Sequence, residues 1–150
     1  MTEKTASVHW EGAGKTGEGR ISTETGALKG YPYGFASRFE DNRSGTNPEE
    51  LVGAAHAACF TMAFAFACEN VHIKPRSIDT IATVRLNKKG EGFLIDQITL
   101  SMQATIPDMD EATFQELAAT AKRDCPLSKA LAGVPEIILK ARLGHDTVGE

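Results

Sequence analysis

The stretch that decides the fold is Asn47-Pro48-Glu49-Glu50-Leu51-Val52-Gly53-Ala54-Ala55-His56-Ala57-Ala58-Cys59-Phe60-Thr61-Met62-Ala63-Phe64-Ala65-Phe66-Ala67-Cys68. Its first residues spell a helix start. Asn47 can accept from the free amides of a first turn, Pro48 has its φ already set for helix, and Glu50 can close a capping box back onto Asn47. Beyond them apolar or small residues occupy nearly every side, so the helix must be buried almost all round. A membrane span needs ~20 such residues. This run, however, is dominated by alanine, carries His56 and Thr61, and stands alone in an otherwise soluble pattern, which favours a central core helix and no membrane.

Before the helix, residues 1–46 are rich in Gly, Thr and Ser. Short alternating stretches such as Ser7-Val8-His9-Trp10 and Gly19-Arg20-Ile21-Ser22-Thr23 read as strands separated by turns. Tyr31 to Phe39 is aromatic and reads as an extended segment, with Pro32 and Gly34 confining it to a bent or edge strand. After the helix, Ile78 to Leu86 and Phe93 to Ile106 form the arms of a hairpin. The second arm places Ile98, Leu100, Met102, Ala104 and Ile106 on one face. A helix capped by Asp110 follows, with Phe114, Leu117, Ala118 and Ala121 on one stripe. Cys125-Pro126 breaks it and starts a short third helix through Leu131, and Ile137 to Leu143 closes the chain as a strand. This order gives an α+β fold with an antiparallel sheet, in one domain over residues 1–150. One sheet cannot cover a helix that is apolar on every side, so a tight homodimer sharing that helix is expected.

Composition narrows the function. With 150 residues, 41% hydrophobic and 24% charged, the chain has the balance of an ordinary globular domain. A net charge of -4 leaves no basic excess for phosphates, so nucleic acid is not an expected partner. No apolar run follows Lys4, which leaves the cytoplasm as the expected location. Three cysteines, Cys59, Cys68 and Cys125, are too few and odd for a secreted disulfide framework. The four histidines, His9, His56, His72 and His145, lack metal-site spacing, and no metal or bound cofactor is expected.

Thiol chemistry is the remaining prospect, and it requires a thiolate. Cys125 stands before Pro126 at a helix start, where free amides favour negative charge. Local electrostatics alone makes it the nucleophile. Cys59 lies mid-helix among apolar residues that raise its pKa, and it needs a delivered cation to react. Cys68, nine residues on, turns to about the opposite helix face and reads as a small buried hydrophobe. His56 stands near the Cys59 face and could pair with it, though a satisfied core or interface histidine is the commoner outcome. Glu49 and Glu50 are explained by capping and the helix dipole. The residues themselves leave two candidate thiols undecided.

Thr46-Asn47-Pro48-Glu49-Glu50-Leu51 with Ala54-Ala55-His56-Ala57-Ala58-Cys59-Phe60, and Cys125-Pro126-Leu127-Ser128-Lys129 further on, closely resemble the two cysteine motifs of the OsmC/Ohr family of organic hydroperoxide reductases. His9-Trp10-Glu11-Gly12 and Pro32-Tyr33-Gly34-Phe35 with Arg38-Phe39 place the resemblance nearer OsmC than Ohr. It implies an OsmC-like fold with a long buried central helix in an intertwined homodimer. It further implies that Cys59 attacks the peroxide, that Cys125 resolves the resulting sulfenic acid as a disulfide, and that Arg38 from the other subunit activates Cys59, with Arg20 as its competitor. Glu49 matches the family's carboxylate that holds the arginine. It stands about 15 Å before Cys59 along a straight helix, so it can act only by pairing with Arg38. By the same resemblance an organic hydroperoxide is the substrate and a dithiol, such as that of a lipoylated protein, the reductant. Two other functions keep the same residues: a thiol-based redox switch that does not turn over, and a noncatalytic module that binds an apolar ligand.

Overall fold

In the computed structural model, which describes residues 1–144, the glycine-punctuated N-terminal stretch becomes three short strands. They are β1 (Ala6–Glu11), β2 (Glu18–Thr23) and β3 (Tyr31–Tyr33), antiparallel in the order β1-β2-β3. Pro32 thus sits on an edge strand, where its missing N–H removes no ladder bond that the sheet needs. Gly19 is there for close approach. A Cβ would collide with both Tyr33 and Trp10, whose rings meet edge to face with centroids 5.5 Å apart.

The extended segment expected over Tyr31 to Phe39 ends early. At Gly34 the chain turns into a short helix, α1 (Phe35–Phe39). Ser37 causes the turn: its Oγ accepts the Gly34 N–H at 2.9 Å and donates to the Thr46 carbonyl at 2.7 Å. The long helix α2 (Pro48–Asn70) starts as its sequence requires, with Asn47 Oδ1 accepting the Glu50 N–H at 2.7 Å. The return half of the capping box is not made. The Glu50 carboxylate instead accepts the Thr46 hydroxyl at 2.6 Å.

Residues 1–51 form one compact unit and the chain from Val52 a second. In the second, the expected hairpin is β4 (Ser77–Lys89) and β5 (Gly92–Thr105), turned at Gly90 with φ +62°. Asp110 caps α3 (Glu111–Asp124) by accepting the Thr113 N–H at 3.0 Å. Pro126 opens α4 (Pro126–Ala130), and β6 (Glu136–Gly144) ends the described chain. His145 lies outside the described residues. The α+β class stands, but the sheet is not wholly antiparallel, because β6 pairs with β5 in parallel. The two helices between them form the crossover that a parallel pair needs.

The core of this unit is where α2, α3 and the sheet meet. His56, Phe60, Phe64 and Cys68 recur every fourth residue of α2 and are fully buried, together with Ile98, Leu100 and Ala104 of β5 and Phe114 and Ala118 of α3. Each such aromatic or branched side chain stabilises the unit by ~1.5–3 kcal/mol. Gly53 allows α2 to lie close on β4, since its Cβ would stand 3.3 Å from Val84 Cγ2. The expected burial of α2 all round is not met within the chain. Ala54, Ala58, Met62 and Phe66 form an exposed stripe, with Met62 63% and Phe66 56% accessible. A three-stranded sheet covers only one side of a helix, which leaves the opposite apolar stripe bare. By length and composition α2 could cross a membrane, but its other stripe belongs to the core described above.

Candidate active site

Cys59 lies half-buried on α2, and Cys125 is fully buried at the junction of α3 and α4. Sixty-six positions apart in sequence (125 − 59), the two reduced thiols come close enough for each to shift the other's ionisation. Burial pushes the Cys59 thiol up, the hydrogen bond and charge of Cys125 push it further, and the Leu127 amide opposes them in part. Burial also acts to raise Cys125, but it is outweighed by hydrogen bonds from Cys59, from the Ser128 amide and hydroxyl, and from the Leu127 amide, so that thiol lies below its ordinary value. No side-chain bond at Cys125 is tight enough to count as a helix cap. The surrounding donors still favour charge on that sulfur. A contacting pair of thiols loses its first proton readily and its second with difficulty. The two ionisations therefore belong to the pair and not to either sulfur alone.

His56 does not pair with Cys59. Its Nε2 lies 2.9 Å from Ser128 Oγ, and its Nδ1 has no hydrogen-bond partner. Cys68 is fully buried, and burial pushes its thiol up, away from the thiolate that thiol chemistry needs.

Arg38 and Glu49 meet inside the first unit. Arg38 Nε and Nη2 donate to Glu49 Oε1 and Oε2, each at 3.0 Å, the two-pronged geometry that guanidinium and carboxylate share. The guanidinium also lies over the Phe39 ring, 5.1 Å from its centroid. Glu49 is buried, whereas the Arg38 side chain is 37% accessible, so the carboxylate anchors a cation that still presents a free face. Arg20, on β2, reaches the Gly30 carbonyl at 3.5 Å. Among the described residues no group of three or more His, Cys, Asp or Glu side chains is placed to hold a metal ion.

The family described as OsmC-like protein matches residues 40–140, a span holding both thiols, Glu49 and Ser128 but not Arg38. The chain belongs to the OsmC-like family. Among curated relatives, the peroxiredoxin OsmC of Escherichia coli (strain K12) is 48% identical over 128 residues, covering 85% of this chain and 89% of that protein. The organic hydroperoxide resistance protein OhrB of Bacillus subtilis (strain 168) is 28% identical over 125 residues, covering 83% of this chain and 89% of that one. Among solved structures, that of Bacillus subtilis OhrB has a TM-score of 0.67 at 29% identity, covering 93% of this chain and 98% of the other. An OsmC-like protein of unknown function from Vibrio cholerae has a TM-score of 0.74 at 14% identity over 94% of this chain and 99% of the other, a likeness of fold alone.

In this OsmC-like chain the residue that sequence analysis passed over is Ser128. Its signal was present: it stands three residues after Cys125, where a first-turn amide and hydroxyl can turn back on the residue that opens the helix.

Proposed function

We propose that this OsmC-like protein, a cysteine-based peroxidase, reduces organic hydroperoxides to alcohols through a sulfenic acid on Cys59 and a Cys59–Cys125 disulfide. The observation that carries this is the closeness of the two thiols, each of which shifts the other's ionisation, brought from α2 and the α3–α4 junction while Cys68 stays in the core. The names of the relatives, a peroxiredoxin and an organic hydroperoxide resistance protein, support the choice of oxidant.

Local donors favour charge on Cys125, so Cys59 requires a cation when it attacks. Arg38, held by Glu49 and delivered from a second copy of the chain, supplies it. A proton then crosses the thiol–thiol bond from Cys59 to Cys125. The Cys59 thiolate attacks the distal peroxide oxygen, the O–O bond breaks, and the alkoxide takes a proton from water to leave as alcohol. The sulfenic acid condenses with Cys125, forming the S–S bond and releasing water. A dithiol such as that of a lipoylated protein reopens the disulfide by exchange. The bare stripe with Met62 and Phe66, and Ile81 at 69% accessible on β4, support burial against a second copy.

The test is steady consumption of cumene hydroperoxide with a dithiol as electron source. Turnover abolished by Cys59→Ser is expected. A single stoichiometric reaction without turnover would replace the peroxidase with a redox switch.

A further inference from the structure

His56 is fully buried, and among the described residues its Nδ1 has no hydrogen-bond partner. An orphaned N–H in such a place costs more than an orphaned lone pair. Burial also disfavours the imidazolium, which would need acceptors at both nitrogens. The ring is therefore neutral with its proton on Nε2. Nε2 lies 2.9 Å from Ser128 Oγ, and in that tautomer its N–H donates to the oxygen. With a lone pair of that oxygen occupied from the His56 side, the Ser128 O–H is turned away from the ring. That direction leads back to the sulfur of Cys125, three residues earlier at the start of the same helix, whose ionisation the hydroxyl favours. The result is a directed chain, His56 to Ser128 to Cys125, ending at the thiol that faces Cys59.

We propose that His56 and Ser128 are positioning residues for the second half of the reaction, orienting a hydroxyl donor onto Cys125 so that its sulfur is presented as the nucleophile toward oxidised Cys59. This rests on the peroxidase function above and assigns two residues to its resolving step. In that step the Cys125 thiolate attacks the Cys59 sulfur, the S–S bond forms and the S–O bond breaks. The departing hydroxide takes up the proton that Cys125 released and leaves as water. The hydroperoxide has already supplied the oxidising equivalents. A hydrogen bond to an ionised group is worth more than one to a neutral group, so the Ser128 hydroxyl selectively favours the thiolate. Among the described residues neither ring nitrogen of His56 hydrogen-bonds a sulfur, and His56 acts by fixing which way that hydroxyl points.

The experiment follows thiolate ultraviolet absorbance against pH in Cys59→Ser/Cys68→Ser, where Cys125 is the only thiol. No peroxide and no Cys59 chemistry enter the readout, so its outcome is independent of whether the peroxidase function holds. Ser128→Ala in this background is expected to lower the thiolate fraction at neutral pH roughly tenfold, the worth of one charge-assisted bond. Ser128→Thr restores it. His56→Leu lowers the fraction in the same direction, His56→Gln, which keeps an N–H donor, restores it, and His56→Leu has no further effect once Ser128 is Ala. With Cys59 present, the same variants slow conversion of the sulfenic acid to the disulfide by a similar factor in single-turnover mixing. Unchanged Cys125 titration in Ser128→Ala overturns the proposal. So does a His56→Leu effect that persists undiminished without the hydroxyl. If His56→Leu does not fold, the Ser128→Ala and Ser128→Thr pair decides alone.

Discussion

Arg38 and Glu49 hold each other by two parallel hydrogen bonds of 3.0 Å, one from Nε and one from Nη2, at a carboxylate that is itself buried. The pairing fixes the plane of the guanidinium while part of the side chain stays open. A lysine in its place offers a point charge without the fork. Arg38→Lys is therefore predicted to lower kcat/KM for an organic hydroperoxide at least ~10-fold, and Glu49→Gln by a smaller factor, since one acceptor oxygen remains. Peroxide kinetics at fixed dithiol concentration checks both. Wild-type rates in Arg38→Lys would transfer the activating role to Arg20, the other candidate.

Cys125→Ser removes the resolving sulfur and keeps a polar atom beside Cys59. One equivalent of organic hydroperoxide is then expected to leave a sulfenic acid on Cys59, trapped by dimedone and seen by mass, with multiple turnover lost. A variant that turns over at the wild-type rate contradicts a role for Cys125 in resolution.

His56 also sets a pH dependence of stability. Burial holds its folded-state pKa below the ordinary imidazole value near 6.5. Below that pH the unfolded chain binds a proton that the folded chain refuses, so unfolding gains protons and becomes easier as pH falls. The contribution is fully present above about pH 6.5 and is lost as pH drops through the folded-state value. Urea midpoints at neutral and mildly acidic pH are expected to fall for the wild type, with a shallower slope for His56→Gln. Equal slopes would show that another group dominates.

Two phenylalanines of α2, two residues apart, are predicted to behave oppositely. Phe64 is fully buried against Phe114, with ring centroids 5.7 Å apart at 78°. Phe64→Ala should cost ~3–5 kcal/mol, measured by denaturant unfolding. Phe66 stands on the bare stripe, and Phe66→Asp is predicted to turn a dimer into a monomer in light scattering. A dimer that survives the charge would place the subunit contact elsewhere.

Much of the fold was legible because local chemistry and long-range packing agree. Asn47 and Asp110 cap the helices they precede, Pro126 opens the short one, and the period-two run from Ile98 to Ala104 marks the buried face of β5. The parallel pairing of β6 was not legible, because the pattern in Glu136–Gly144 serves either direction and only the α3–α4 crossover chooses. The α1 turn was missed for a similar reason. Phe35–Phe39 has aromatic strand chemistry, and Ser37 bends it through bonds to Gly34 and to distant Thr46. At the site, the sequence named the two thiols and the arginine and glutamate as candidates. The Ser128 donor could not be recognised until α4 and His56 were placed in space.

The central claim is that Cys59 and Cys125 form one redox pair while Cys68 does not take part. Mass spectrometry of the reduced protein after one equivalent of organic hydroperoxide tests it most directly. The predicted product is a single intramolecular disulfide between the peptides carrying Cys59 and Cys125, with Cys68 still a free thiol. A disulfide or sulfenic acid at Cys68, with Cys59 and Cys125 unmodified, would contradict it.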